Sequence, residues 1–411
     1  MVKSMVSIEK IFAFLLGVFI CEGVTMPFSV GNTVFTVSEI ISPIIFICLL
    51  SKKDNKFLSF LKNVPIGFKL FFLVVIFSIL PSIVIFGIGN IYRYFVGLIY
   101  FCVILTIAAD VYLLKDYRRN LYKGMLLGFV LNILFSAICF FSFQAGIVIS
   151  LEEIFPRESF FTPFSSFRAQ GFFLEPSHFV RFVSSVVLIL MANVDVKNII
   201  LKFIFIVISI FVLLQSFSGS VVILMVGVLL YSIIRKKERK INILPGAALF
   251  VFSIVVLIVL LFLNNEMSAN VHFSLSKIFS GADITDEGNA ERFNSMKIVL
   301  SNLSIATVGC GWNMANTFFE VENLGIVSAF SDILEMTIEI GFLGILIYII
   351  SLIKTAFNLI KFRTKKSVAL GLTVLIILAL QIGTDYAFNT CVMVVFGLVV
   401  CEISDNKMQL G

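Results

Sequence analysis

Charge is what this chain has least of. Only 14% of its 411 residues are charged and 59% are hydrophobic, too few polar groups to cover a soluble protein of this size. Apolar runs of about 20 residues recur along it, each long enough to cross a bilayer core. The ten-residue alternating segments of a closed β-barrel are missing. No A-x-A-like site follows the first apolar run, so no cleavable signal peptide is expected. The seven cysteines (Cys21, Cys48, Cys102, Cys139, Cys310, Cys391, Cys401) are odd in number and lack a CxxC spacing. Only Cys310 lies well inside an expected outer loop. Both a disulfide framework and a zinc site are therefore disfavoured. Histidine is limited to His178 and His272, and Trp312 is the lone tryptophan. No internal repeat, heptad or low-complexity tract is present.

What is present reads as an all-α, polytopic helical membrane protein, one integral membrane domain over 1–411. About twelve spans are expected, near 8–25, 35–51, 67–87, 92–110, 119–143, 171–192, 199–215, 218–234, 243–264, 330–353, 367–384 and 387–403. With the N-terminus inside, all but seven of the 31 lysines and arginines fall on inner segments. The exceptions are Arg93, Arg157, Arg168, Arg181, Lys277, Arg292 and Lys297. This asymmetry predicts that both termini are cytoplasmic.

Two outer, periplasmic loops are too long for simple turns: 144–170 and 265–329. The second carries an acidic stretch and then an amphipathic helix from near Asn289, with Ile298, Val299 and Leu303 facing the membrane surface or other spans. A Gly-x-Gly turn, Gly309 to Gly311, and Trp312 follow. Trp312 is expected at the lipid headgroups.

The chemistry is expected around FRAQGFFLEPSHFVR, Phe167 to Arg181. Pro176 suits a first helical position. Glu175, His178 and Arg181 then share about a third of the helix circumference. Arginines beside a helix start suit a phosphate. Arg168 and Arg292 sit in the two long loops. Their ordinary reading is a solvated charge or a headgroup contact, but outward cations are few here. Arg181 and Arg93 are close to the membrane, where a charge marks a cavity unless it forms a structural pair, as with Glu175 or Asp110. Glu175 and His178 are the candidates for a general base, with capping and pairing as the alternative for Glu175. Glu335, Glu339 and Asp385 either line the same cavity or serve as counter-ions for the arginines. Asp332 is compatible with capping the helix that follows. No metal site stands out; Asp283 and Asp286 form only a weak DxxD.

The order of these features resembles the Wzy O-antigen polymerases, within the O-antigen ligase-like superfamily. The resemblance rests on Arg168, Gly171, Glu175, Pro176 and Ser177, then Arg292, Gly309 and Gly311, then Glu339, Gly341 and Gly344. It covers topology over the whole chain and motifs over some 60 residues. The ligase branch carries a histidine-bearing motif where this chain reads Ser331-Asp332-Ile333-Leu334-Glu335, which weighs toward polymerase.

The resemblance implies an enzyme of the bacterial inner membrane. It would join oligosaccharide units carried on undecaprenyl diphosphate; because no DxD-like site stands in an outer loop, no cofactor and no divalent metal are expected. Glu175 or His178 would act as base, and Arg168, Arg181, Arg292 and Arg93 would hold the diphosphate. Membrane lipid and a chain-length regulator are the other partners expected; nucleic acid is not. The alternatives are an O-antigen ligase and a flippase or transporter of the same lipid-linked units. A flippase should show paired halves with polar residues near both midplanes, whereas here the polar residues concentrate toward the outer face.

Overall fold

Long apolar stretches rich in leucine, isoleucine and phenylalanine satisfy their backbone internally as helix, and helix dominates the computed structural model. It describes residues 8–20, 25–30, 33–147, 149, 169, 171–173, 176–194, 208–210, 212–213, 220–236, 297, 300–301, 307–322, 331–383 and 389–410. Over these the order is α1 (Ile8–Phe19), a hairpin of β1 (Thr25–Val30) and β2 (Thr33–Thr36), α2 (Val37–Asn63), α3 (Ile66–Phe77), α4 (Ile79–Phe86), α5 (Ile91–Leu113), α6 (Arg118–Gln144), α7 (Pro176–Asn193), α8 (Ser220–Lys236), α9 (Ala315–Val321), α10 (Asp332–Lys361), α11 (Lys365–Gly383) and α12 (Thr390–Leu410).

Among the described residues, five segments are long and apolar enough to cross a membrane: Ile66–Phe86, Ile91–Leu113, Lys115–Gln144, Asp332–Lys361 and Lys365–Ile382. They match the expected spans at 67–87, 92–110, 119–143, 330–353 and 367–384. Helices also stand near 8–25, 35–51, 171–192, 218–234 and 387–403, as α1, the first half of α2, α7, α8 and α12, but these are not among the segments long and apolar enough to cross a membrane. The span 243–264 lies outside the described residues, as do most of 199–215, of both long outer loops and of the amphipathic helix near Asn289.

Three local features depart from the sequence reading. An antiparallel hairpin, with Ser29 opposite Val34, follows α1. It leads into α2 through a capping box: the Thr36 hydroxyl accepts from the Glu39 amide, and the Glu39 carboxylate accepts from the Thr36 amide. Second, α2 continues beyond residue 51 as far as Asn63 and is bent. Phe46 and Phe57 have ring centroids 5.3 Å apart, whereas eleven residues of straight helix advance about 16 Å. Beyond the bend, Phe60 packs on Tyr112, while Ser59 and Asn63 bond the Tyr112 hydroxyl. Third, α10 is broken at Gly341 (φ 75, ψ 169).

The helices pack through close crossings. α1 lies on α6 where Gly17 and Gly124 meet: a Cβ on Gly17 would sit 2.2 Å from the Leu121 carbonyl oxygen, the small-residue crossing usual in membranes. α11 contacts α7, α8, α10 and α12, while α5 contacts α2, α4 and α12. One end of the bundle is tied by polar contacts: Lys56 to Asp116, Arg118 to Asp405 at 2.6 Å, and Glu402 to Ser367. The other end gathers residues 309–322 with the starts of α5 and α10.

Candidate functional site

The break in α10 organises that second end. In a continuous helix the carbonyls of Ile338 and Glu339 would accept from the amides four residues on. The turn at Gly341 removes those donors. The glycine turn at Gly309–Gly311 supplies replacements: the Cys310 amide donates to the Ile338 carbonyl at 2.7 Å and the Gly311 amide to the Glu339 carbonyl at 2.8 Å. Gly309 (φ 87) and Gly311 (φ 113) occupy backbone conformations that other residues rarely adopt. The approach is also too close for side chains, since a Cβ on Gly309 would lie 2.5 Å from the Glu339 carbonyl oxygen. Two motifs thirty residues apart are thus one joint.

The loop carries α9 with it. The buried Glu339 carboxyl faces the backbone amides of Asn313 and Ala315, where α9 begins, a favourable place for an acid. Asn313, at φ 60, bonds the Arg93 carbonyl through its side-chain amide at 3.1 Å and fills the space beside Gly97. The Arg93 guanidinium donates to Thr317 at 2.9 Å, to Glu320 at 3.0 Å and to the Tyr92 hydroxyl. These bonds use Nε and Nη1; Nη2 takes no part in them.

Trp312 is buried. Its ring lies 5.2 Å from Phe101 and 6.3 Å from Phe71, and its amide donates to the Ser78 hydroxyl. The expectation of a headgroup anchor is therefore corrected: the docked glycine turn carries the indole inward. Burial, helped by the neighbouring Glu339 carboxyl, pushes the Cys310 thiol well above its ordinary range.

Glu335 and Glu339 lie one turn apart on α10, with Asp332 one turn before Glu335, so one face carries three acids. Glu339 and Asp332 are buried and Glu335 is half-buried. The N-cap is Ser331, whose hydroxyl reaches across to the Ile382 carbonyl at the end of α11. Asp332 is the first helical residue rather than the cap.

The other motif sits on α6. The Gly171 amide donates to Ser136 at 2.7 Å and the Phe172 amide to the Asn132 side chain at 2.9 Å, while Phe172 stacks on Phe135 at 4.3 Å. α7 then starts at Pro176, where its ring was expected to start it. Arg181 is buried at 3% exposure, whereas His178, one turn earlier, is exposed. A shared face therefore does not give these two side chains a shared environment. Arg168, Glu175, Arg292 and Asp385 lie outside the described residues. Arg93 stands on α5 and Arg181 on α7, two helices that both pack on α12.

A crevice between α3, α10, α11 and α12, lined by Phe68, Phe72, Tyr348, Leu352 and Phe396 among others, is apolar and contains none of the candidate site residues. Sequence reasoning passed over Asn313, Thr317 and Glu320, the partners of Arg93. Only the neighbouring Gly-x-Gly turn hinted at their position, because they meet Arg93 through the docking of a distant loop. The chain matches no protein-family model and no curated protein.

Proposed function

We propose that the protein is an O-antigen polymerase, joining oligosaccharide repeat units carried on undecaprenyl diphosphate at the outer face of the bacterial inner membrane. The observation that carries this reading is the joint at Gly341. The resemblance to the polymerases rests partly on Gly309 and Gly311 and, separately, on Glu339 and Gly341, and these residues meet. Orientation with both termini cytoplasmic is supported by the clustering of Lys56, Lys115, Arg118 and Lys361 toward the opposite end of the bundle.

In this reading the acceptor sugar hydroxyl attacks the anomeric carbon of the growing chain. The new C–O bond forms as the bond to the lipid diphosphate breaks. The proton passes to Glu175 or His178, and the diphosphate leaves with the bonding electrons. Arg168, Arg292, Arg93 and Arg181 offset its growing negative charge. Glu339 serves this site as a positioning residue, holding the start of α9 and through it the partners of Arg93.

One observation bears on the transport alternative. Broken membrane helices are where transporters hold substrates and ions, on freed backbone carbonyls. Here the Ile338 and Glu339 carbonyls freed at the break are taken by the chain's own amides, which weighs toward a built joint and against an ion site there.

Electrophoresis of lipopolysaccharide from a deletion strain tests the proposal. Chains limited to one repeat unit are expected. Core with no unit, and polymer accumulating on the carrier lipid, would replace polymerase by ligase; units trapped on the cytoplasmic side would replace it by flippase.

A further inference from the structure

A second polar centre lies where the sequence offers no motif, between α2 and α5. Asp110 is fully buried, at 0% exposure, as is Ser42. The Thr106 hydroxyl bonds the Val103 carbonyl at 2.6 Å and lies 3.1 Å from Ser42, and the Ser42 hydroxyl donates to Asp110 Oδ2 at 2.5 Å. Asp110 Oδ1 is buried with no hydrogen-bond partner. On the far side α12 presses against this turn of α5, since a Cβ on Gly397 would lie 2.6 Å from the Ala108 carbonyl oxygen.

Among the described residues no cation answers this carboxylate. None of the ion pairs among the described residues includes Asp110. Several titratable groups on the elements packed around it hold other partners. On α2, Glu39 holds Tyr100 and the Thr36 amide. On α12, the Cys401 thiol points to the Val111 carbonyl, Glu402 accepts from Ser367, and Asp405 pairs with Arg118. On α5, the Tyr112 hydroxyl joins Ser59 and Ser404. An isolated carboxylate in such a place costs many kcal/mol unless neutralised, and an ionisable group inside a membrane bundle marks a functional site by default.

We infer that Ser42, Thr106 and Asp110 form a buried site for one monovalent cation, a proton or a sodium ion. Both supply what the geometry lacks, a single positive charge at an oxygen cluster that has hydroxyls but no basic side chain. Bound charge lets α2 stay packed on α5; its loss leaves an uncompensated anion between them. Occupancy of the site is thereby coupled to the packing of these two helices, apart from the glycine joint at the other end of the bundle.

The test is the unfolding midpoint of the full-length protein in detergent, wild type beside Asp110→Asn, across pH and with sodium exchanged for choline at constant ionic strength. A proton site makes the wild-type midpoint fall as pH rises, more steeply than that of Asp110→Asn and regardless of sodium. It also gives an infrared carbonyl band of a protonated carboxylic acid that disappears in Asp110→Asn. A sodium site makes the midpoint rise with sodium at fixed pH, again only with Asp110 present. Identical responses of the two proteins to both variables would overturn the inference. Should Asp110→Asn fail to fold, Ser42→Ala and Thr106→Val keep the carboxylate and remove the hydroxyls. Each should shift the pH or the sodium concentration of half-effect, and an unshifted response would equally overturn it.

Discussion

Gly309 and Gly341 each stand in the space that the other's surroundings need. A Cβ on Gly309 would lie 2.7 Å from the Gly341 amide nitrogen, and one on Gly341 would lie 2.8 Å from the Val308 carbonyl carbon. Alanine at either position faces a backbone clash and a positive φ. Gly341→Ala and Gly309→Ala should each destabilise the protein by about 1–3 kcal/mol or more. Thermal unfolding in detergent measures the loss, and wild-type midpoints for both would show that the loop does not dock in the break.

Glu339 should matter as a hydrogen-bond acceptor. Glu339→Ala removes the carboxyl that faces the amides of Asn313 and Ala315, and a loss of about 1–3 kcal/mol is expected if these buried donors lose their acceptor. Glu339→Gln retains an acceptor oxygen and should lose much less. Equal losses for the two variants would assign the role to charge instead. If the loop also positions the site, chain polymerisation should follow the same order in lipopolysaccharide gels.

The Cys310 thiol should resist alkylation. Burial, with Glu339 nearby, raises its pKa, and the thiolate is the reacting form. At pH 8 less thiolate is present than for an ordinary cysteine, and less reagent can reach it. A variant keeping only Cys310 should stay unlabelled by a membrane-permeant maleimide in the folded state and label fully in denaturant. Rapid labelling of the folded protein would contradict the docked loop.

The bend in α2 can be caught covalently. Phe46→Cys with Phe57→Cys, in a background free of other cysteines, should cross-link through a short bifunctional maleimide, because the native rings are 5.3 Å apart. A straight helix would hold the pair about 16 Å apart, and failure to cross-link would argue for that geometry.

The proposed arginine cradle makes the sharpest functional demand. Arg168→Ala and Arg292→Ala should each abolish long chains while the protein remains at normal levels in the membrane. Purified protein should also polymerise in the presence of chelator. Normal chain lengths in both variants would remove the diphosphate cradle, and a strict magnesium requirement would overturn the metal-free mechanism.

Much of the helix pattern was legible in the amino-acid order alone. A run such as Ile91 to Leu113 has too few polar side chains to be anything but buried or in lipid, and its backbone must then bond to itself. That is why five long apolar helices stand where hydropathy places them. Pro176 announced the start of α7 for an equally local reason, a ring that already holds the helical φ. The break at Gly341 was not legible, because glycine is common in membrane helices and only the arrival of Cys310 and Gly311 gives this one its turn. Nor was the burial of Trp312, the bend in α2 or the orphaned oxygen of Asp110. Each arises where segments distant in the chain compete for one space, and local periodicity carries no record of which partner arrives. Tertiary packing alone made that choice, through carbonyls that had to find donors and glycines that left room for them.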